Sequence, residues 1–196
     1  MNRRCFFRRF TVGRYPINGY LIADRASGIG VFIDPGGWDE TIASYITSKD
    51  IQLRDIFFTH GDWDHIEGIG DFKKRYSVRS YAGKDEVAAA NYILHGGETL
   101  EVGKLSFEVF STPGHTPAGL SFYCRAIGML FPGDALFCGS MGGTRQVALA
   151  QQQTTAVRKY LFALPDETRV CPGHGPMTTI AAEKYHNPFC AAGLKE

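Results

Sequence analysis

Thr59-His60-Gly61-Asp62-Trp63-Asp64-His65 is the stretch on which the reading of this chain turns. It puts four groups able to ligate a metal, His60, Asp62, Asp64 and His65, within six residues. Before it, Leu53-Arg54-Asp55-Ile56-Phe57-Phe58 ends in an apolar run that reads as a short buried strand. After it, Ile66-Glu67-Gly68-Ile69-Gly70-Asp71-Phe72 can begin a helix. The four groups therefore fall on the turn leaving a strand, where a rigid strand fixes the backbone and the turn aims the side chains. Imidazole and carboxylate together are the donors of zinc, iron and manganese sites near neutral pH. Taken alone, the stretch leaves open a polar loop whose aspartates cap the next helix.

Toward the N-terminus the pattern is one of short strands divided by turns. Phe10-Thr11-Val12, Tyr20-Leu21-Ile22 and Val31-Phe32-Ile33 are apolar or β-favouring, and Gly13, Asn18-Gly19 and Ser27-Gly28 punctuate them. Asp34-Pro35-Gly36-Gly37 stops the third strand, and Trp38 to Lys49 carries Ile42, Tyr45 and Ile46 at helical spacing. Asp64 to Tyr76 reads as a second helix, weakened by Gly68 and Gly70, and Ser77 to Ala82 as another strand.

The C-terminal half repeats this logic. Thr99 to Val102 and Leu105 to Phe110 alternate apolar and polar around Gly103-Lys104, a hairpin signal. The hairpin runs into Thr112-Pro113-Gly114-His115-Thr116-Pro117, which places a histidine at a strand end. Ser121 to Tyr123 and Met129 to Phe131 form a strand pair that delivers Pro132-Gly133-Asp134. Gln151 to Leu164 is the clearest helix, with Val157, Tyr160, Leu161 and Leu164 on one face. Arg169-Val170-Cys171 is a last short strand that delivers Pro172-Gly173-His174-Gly175. Two similar sets of strands and helices with no linker between them read as one domain over residues 1–196. Its layers are two sheets face to face with helices outside, an α+β sandwich.

Composition sets the class. The 196 residues are 44% hydrophobic and 21% charged, enough for a substantial core and unlike a disordered chain. A formal charge of +1 predicts no nucleic-acid partner, and no apolar run approaches the roughly 18 residues of a membrane helix. Cys5, Cys124, Cys138, Cys171 and Cys190 form no C-x-x-C pair; they read as free thiols in a reducing, cytoplasmic setting. Met1 to Phe10 is basic and lacks the apolar segment of a secretory signal, so it reads as an edge strand with arginines on its wet face. A nucleic-acid-binding arm is the alternative there.

Taken together, His60-x-Asp62-x-Asp64-His65, His115 in Thr-Pro-Gly-His-Thr-Pro, Asp134 in Gly-Asp and His174 in Pro-Gly-His-Gly resemble the signature of the metallo-β-lactamase superfamily. Gly97-Glu98-Thr99-Leu100, Thr112 to Pro117, and Pro172 to Thr179 running on to Asn187-Pro188-Phe189 are similar to the glyoxalase II group within it. The resemblance implies a four-layer αββα sandwich with two divalent metal ions, zinc, iron or manganese, at one edge. Carried over residue by residue, it puts His60, Asp62 and His115 around a first ion and Asp64, His65 and His174 around a second, with Asp134 between them. His95 and His186 match no ligand position. Asp62 departs from the commonest pattern, which has histidine there. A carboxylate is a harder, charged donor, so the first site should tilt from zinc toward iron or manganese, as in flavodiiron relatives with glutamate at this place; the alternatives are an Asp62 too short to reach the ion, or one that binds it through water.

The activity so implied is hydrolysis of a small-molecule acyl thioester of the hydroxyacylglutathione kind. Water shared by two cations is acidified enough to attack at neutral pH, and Asp64 accepts its hydrogen bond. Glyoxalase II enzymes usually carry an additional C-terminal helical domain that helps hold glutathione, and this chain stops soon after Asn187-Pro188-Phe189. Arg145, on a glycine-rich loop, either meets a substrate carboxylate or is simply solvated. Trp63 either walls the pocket or packs beneath it. Relatives that are persulfide dioxygenases, using a single iron at positions corresponding to His60, His115 and Asp134, give an alternative. A lactonase, a phosphodiesterase or a non-catalytic member is another; DNA-uptake relatives share His-x-Asp-x-Asp-His, but the charge speaks against nucleic acid.

Overall fold

Side-chain alternation along the strands sorts the apolar residues into three separate cores. In β2 (Ile17–Asp24), β3 (Ile29–Ile33) and β4 (Gln52–Phe57), Tyr20, Ile22, Val31, Ile33 and Phe57 point to one face. There they meet Phe107, Val109, Phe122 and Phe131 of a second sheet. Leu21, Phe32 and Ile56 point to the other face and pack with Ile42, Ile46 and Phe72 of covering helices. The second sheet is used in the same way, with Tyr123, Leu130 and Val170 turned outward onto Val157, Leu161 and Ile180. Three apolar layers separate four layers of backbone, which is the expected αββα sandwich. This computed structural model describes residues 4–191, so Met1 to Arg3 of the N-terminal strand reading lie outside the described residues.

The first sheet has the strand order β1-β2-β3-β4-β5-β6, adding β1 (Cys5–Val12), β5 (Arg79–Gly83) and β6 (Tyr92–Leu94). Its first three strands pair antiparallel and the rest parallel. The second sheet runs β12-β11-β10-β9-β8-β7, from β7 (Thr99–Val102), β8 (Leu105–Ser111), β9 (Leu120–Cys124) and β10 (Met129–Gly133) to β11 (Arg169–Pro172) and β12 (Thr178–Thr179). Only β10 and β11 pair parallel in it. Helices α1 (Glu40–Ser48), α2 (Trp63–Ile66) and α3 (Ile69–Arg75) lie on the first sheet. Helix α4 (Val147–Ala156), continued by a π-helical turn over Val157–Leu161, and α5 (Ile180–His186) lie on the second. β1 is an edge strand and Arg8 and Arg9 are exposed, as expected.

The structure departs from the sequence reading wherever a polar residue does core work. Asn18-Gly19 is not a turn but the start of β2, because the Asn18 amide is buried against backbone carbonyls of the β11 turn. The single helix expected over 64–76 is two, broken at Gly68, whose N–H bonds to Pro35 O at 2.7 Å and where any side chain would strike the 35–37 segment. The last long helix begins at Val147 rather than Gln151, and Leu164 lies beyond its end. Its buried face is carried by Gln153 and Ala156, and the π turn shifts the register before Leu161. Strands β6 and β12 and helix α5 were not anticipated.

Phe122 is fully buried between the sheets, stacked on Phe57 with ring centroids 5.0 Å apart. Replacing it with alanine removes a ring that the two sheets cannot close over. Phe122→Ala is expected to destabilise the metal-free protein by about 3–5 kcal/mol, read as a lowered urea midpoint at unchanged slope.

Candidate metal centre

Four strands end at one rim of the sandwich. β4 runs into the turn of His60 to His65, β8 into that of His115, β10 into Asp134 and β11 into His174. Backbone bonds between the sheets close this rim: Leu120 N–H to Thr59 O at 2.7 Å, and Asn18 N–H to Gly173 O at 2.8 Å. All seven residues expected as ligands meet there. Their donor atoms fall into three overlapping groups, each within 4.8 Å: His60, Asp62 and His115; Asp64, His65 and His174; and His60, His65 and Asp134. Asp134 sits between the first two, with Oδ2 3.5 Å from His115 Nε2 and 3.6 Å from His174 Nε2, and Oδ1 3.4 Å from His65 Nε2. Gly173 permits this approach, since a Cβ there would overlap Asp134 Oδ1 and the His65 ring. The floor is dry and the mouth wet: the His65 side chain is 0% exposed, whereas those of His174 and Asp62 are 33% and 49% exposed.

The hydrogen bonds behind the four rings fix which nitrogen faces inward. His65 Nδ1 lies 3.1 Å from Asp34 Oδ2, His115 Nδ1 2.7 Å from Gly143 O, and His174 Nδ1 3.3 Å from Pro16 O. Each of these oxygens only accepts, so each Nδ1 carries the hydrogen. His60 Nδ1 lies 2.9 Å from Thr59 Oγ1, whose single hydrogen goes to Asp34 Oδ2 at 2.7 Å, so here too Nδ1 donates. In the neutral rings the lone pair is then on Nε2, and all four Nε2 atoms converge, those of His65 and His174 to 3.3 Å. His60 Nε2 and Asp134 Oδ1 are buried and have no hydrogen-bond partner. A small cavity, ≈ 10 Å³, lies between His60, His115, Thr116 and Asp134, room for one water-sized particle. Converging lone pairs, orphaned acceptors and anchored far sides are what a cation site requires, and the residues fit one.

Electrostatics point the same way. Burial, then the neighbouring His65, His115 and His174, hold the His60 pKa well below that of a free imidazole. Burial also works against a proton on His65, but the Asp34 hydrogen bond and charge, then Asp134 and Asp64, raise it to about 9. Burial pushes the Asp134 carboxyl up against the three nearby imidazoles. The pocket therefore calls for positive charge yet rejects a proton at His60. A cation sharing the lone pairs satisfies both demands.

Three supporting residues escaped the sequence reading. Asp34, expected only to end a strand, is buried with φ 53° and accepts from both the Thr59 N–H and its hydroxyl. Asn18 Nδ2 donates to Pro172 O and Gly175 O on either side of His174. Gln153 Nε2 donates to Asp134 O and Ala135 O. The only advance signal was composition: polar residues inside otherwise apolar segments. Trp63, of the two roles left open, is not beneath the site; it is 50% exposed and meets Tyr15 edge to face at 5.2 Å. Arg145 is exposed on the loop before α4. His95 and His186 are exposed and belong to none of the ligand groups.

Among the described residues no helix is long and apolar enough to cross a membrane, and all five cysteines are free. The model of the metallo-beta-lactamase superfamily matches residues 12–174, which span every ligand-bearing turn. The probable metallo-hydrolase YqgX of Bacillus subtilis is 29% identical over 206 aligned positions, covering 93% of this chain and 96% of its own. The hydroxyacylglutathione hydrolase GloC of Haemophilus influenzae is 29% identical over 181, covering 80% and 85%. The crystal structure of ETHE1 from Myxococcus xanthus superposes with a TM-score of 0.85 at 34% identity, over 95% of this chain and 84% of that one. With the rim, the four layers and the matched span in agreement, the chain belongs to the metallo-β-lactamase superfamily.

Proposed function

We propose that this chain is a hydrolase with two divalent ions that cleaves a small acyl thioester of the hydroxyacylglutathione kind. The observation that carries the reading is the convergence of four Nε2 lone pairs whose rings are each anchored through Nδ1. We assign His60, Asp62 and His115 to one ion, Asp64, His65 and His174 to the other, and Asp134 to both. A single ion at His60, His115 and Asp134, as a mononuclear iron dioxygenase would have, leaves the group of Asp64, His65 and His174 without an ion. The likeness to GloC, matched over 85% of its own length, supports a thioester substrate.

When bound, two such ions acidify a water molecule and draw electron density from an acyl carbonyl. The side chains do the rest. The Asp64 carboxylate, 17% exposed, with Oδ2 3.5 Å from His174, accepts a hydrogen from the attacking water and aims its lone pair at the acyl carbon. The C–S bond then breaks. A thiol has a pKa near about 8.5, so the sulfur leaves as thiolate without a protein acid. We assign the exposed Trp63 and Arg145 to the substrate: Trp63 stands between Asp62 and Asp64, and Arg145 two residues from Gly143, whose carbonyl anchors His115. Three carboxylates, Asp62, Asp64 and Asp134, offset most of the charge of two divalent ions. The one at 62 makes the first position harder and more anionic than a histidine would.

His115→Ala and Asp134→Ala are each expected to lose bound metal and most thioesterase activity while the circular dichroism spectrum persists. Elemental analysis finding wild-type metal in both variants refutes the ligand assignment. Asp62→His is expected to move preference from iron or manganese toward zinc in a competition titration. Activity on lactoylglutathione with two metals per chain supports the hydrolase; one iron per chain with oxygen uptake on glutathione persulfide overturns it.

A further inference from the structure

The loop leaving β5 carries a carboxylate that touches both halves of the first ligand group without belonging to it. Glu86 Oε2 accepts the Gly61 N–H at 2.8 Å, and its Oε1 accepts the Ala118 N–H at 2.7 Å. Gly61 stands between His60 and Asp62, and Ala118 is in the same turn as His115. One turn leaves the first sheet and the other joins two strands of the second, so a single side chain spans the rim. The backbone is pressed in with it. A Cβ on Gly61 would overlap the Glu86 carbonyl, and one on Gly83 would overlap the Ala118 carbonyl. Asp85, just before Glu86, has φ 63°, a left-handed conformation uncommon for any residue but glycine. The second group is tied by other means: Asp34 behind His65, and Asn18 and Tyr20 on the carbonyls around His174.

We infer that Glu86 is a positioning residue for the first ion. It fixes the distance between the turn of His60 and Asp62 and the turn of His115, so grip on that ion depends on it and grip on the second does not. This rests on the ligand assignment proposed above. His115 Nε2 lies 3.1 Å from Asp62 Oδ2 across the two turns. Freed from a shared acceptor, the turns move apart or slide, and the three donor atoms no longer close on one point. Groups hydrogen-bonded to metal ligands typically govern about 10–100-fold in metal affinity, and Glu86 acts on the backbone of the two turns that carry the ligands.

Cobalt(II) is the probe. Metal-free protein is titrated while visible absorption reports the coordination of each ion and elemental analysis counts them. Wild type is expected to take up two ions per chain in resolvable steps. Glu86→Gln keeps the shape but sets an NH2 against one of the two N–H groups. It is expected to weaken one step by about 10–100-fold and alter that ion's absorption band, leaving the other step unchanged. Glu86→Ala is expected to weaken the same step further, and Asn18→Ala the other step. Should the alanine variant fail to fold, as judged by circular dichroism, the isosteric variant decides. Wild-type affinity at both steps in Glu86→Gln, an equal loss at both, or loss at the same step in Asn18→Ala overturns the role of Glu86 while sparing the ligand assignment. No cobalt uptake by wild type, or two ions retained in His115→Ala, overturns the assignment and this role with it.

Discussion

Four imidazole N–H groups have to find acceptors at the rim of this sandwich, and where they find them decides everything in front of them. The acceptors are a threonine hydroxyl, a buried aspartate and two backbone carbonyls, and one of them, the Pro16 carbonyl before β2 that holds His174 after β11, reaches its ring only when both sheets are docked. With Nδ1 spoken for, each ring can only offer Nε2 to the centre. His60 Nε2 and Asp134 Oδ1, buried without a hydrogen-bond partner, are unfavourable by themselves, at about 1–3 kcal/mol for each. The aromatic interlayer holds them there. Phe57, Phe107, Phe122 and Phe131 are essentially inaccessible to water, and burying such side chains contributes about 1.5–3 kcal/mol each.

What the sequence made legible was what depends on local pattern. The ligand turns stood out because rare combinations of histidine and aspartate recur at the ends of apolar runs, and the four layers because strands and helices come in two similar sets with no linker between them. Other features were hidden because their cause lies far along the chain. Asn18 reads as a turn residue beside Gly19, yet its amide answers carbonyls 154 and 157 residues away. Asp34 reads as a strand stop, yet it supports His65, 31 residues on. Gln153 interrupts the apolar face of α4, so counting apolar residues starts that helix too late; its buried amide instead holds the chain at Asp134 and Ala135. The break at Gly68 follows from close packing against residues 35–37, which no periodicity announces.

The fold and the innermost donors, His60 and His65, belong to buried residues. Exposed Tyr15, Trp63 and Arg145 belong to separate turns: Tyr15 between β1 and β2, Trp63 at the head of α2, and Arg145 before α4. Tyr15 is one residue from Pro16, whose carbonyl anchors His174, so the turn that presents an aromatic ring to solvent also holds a ligand ring in place.

Neither ligand triad is complete within one sheet. His60, Asp62, Asp64 and His65 follow β4 of the first, whereas His115, Asp134 and His174 follow strands of the second. Under the assignment made above, each ion is a rivet through two plates. A nascent chain that has finished its first sheet holds half of each socket; it cannot close the first until β8 and β10 dock, nor the second until β11 docks beside β10. Loading is then a late event in biogenesis, and starvation for the ion would loosen the sandwich first at this rim, with the opposite edge still zipped.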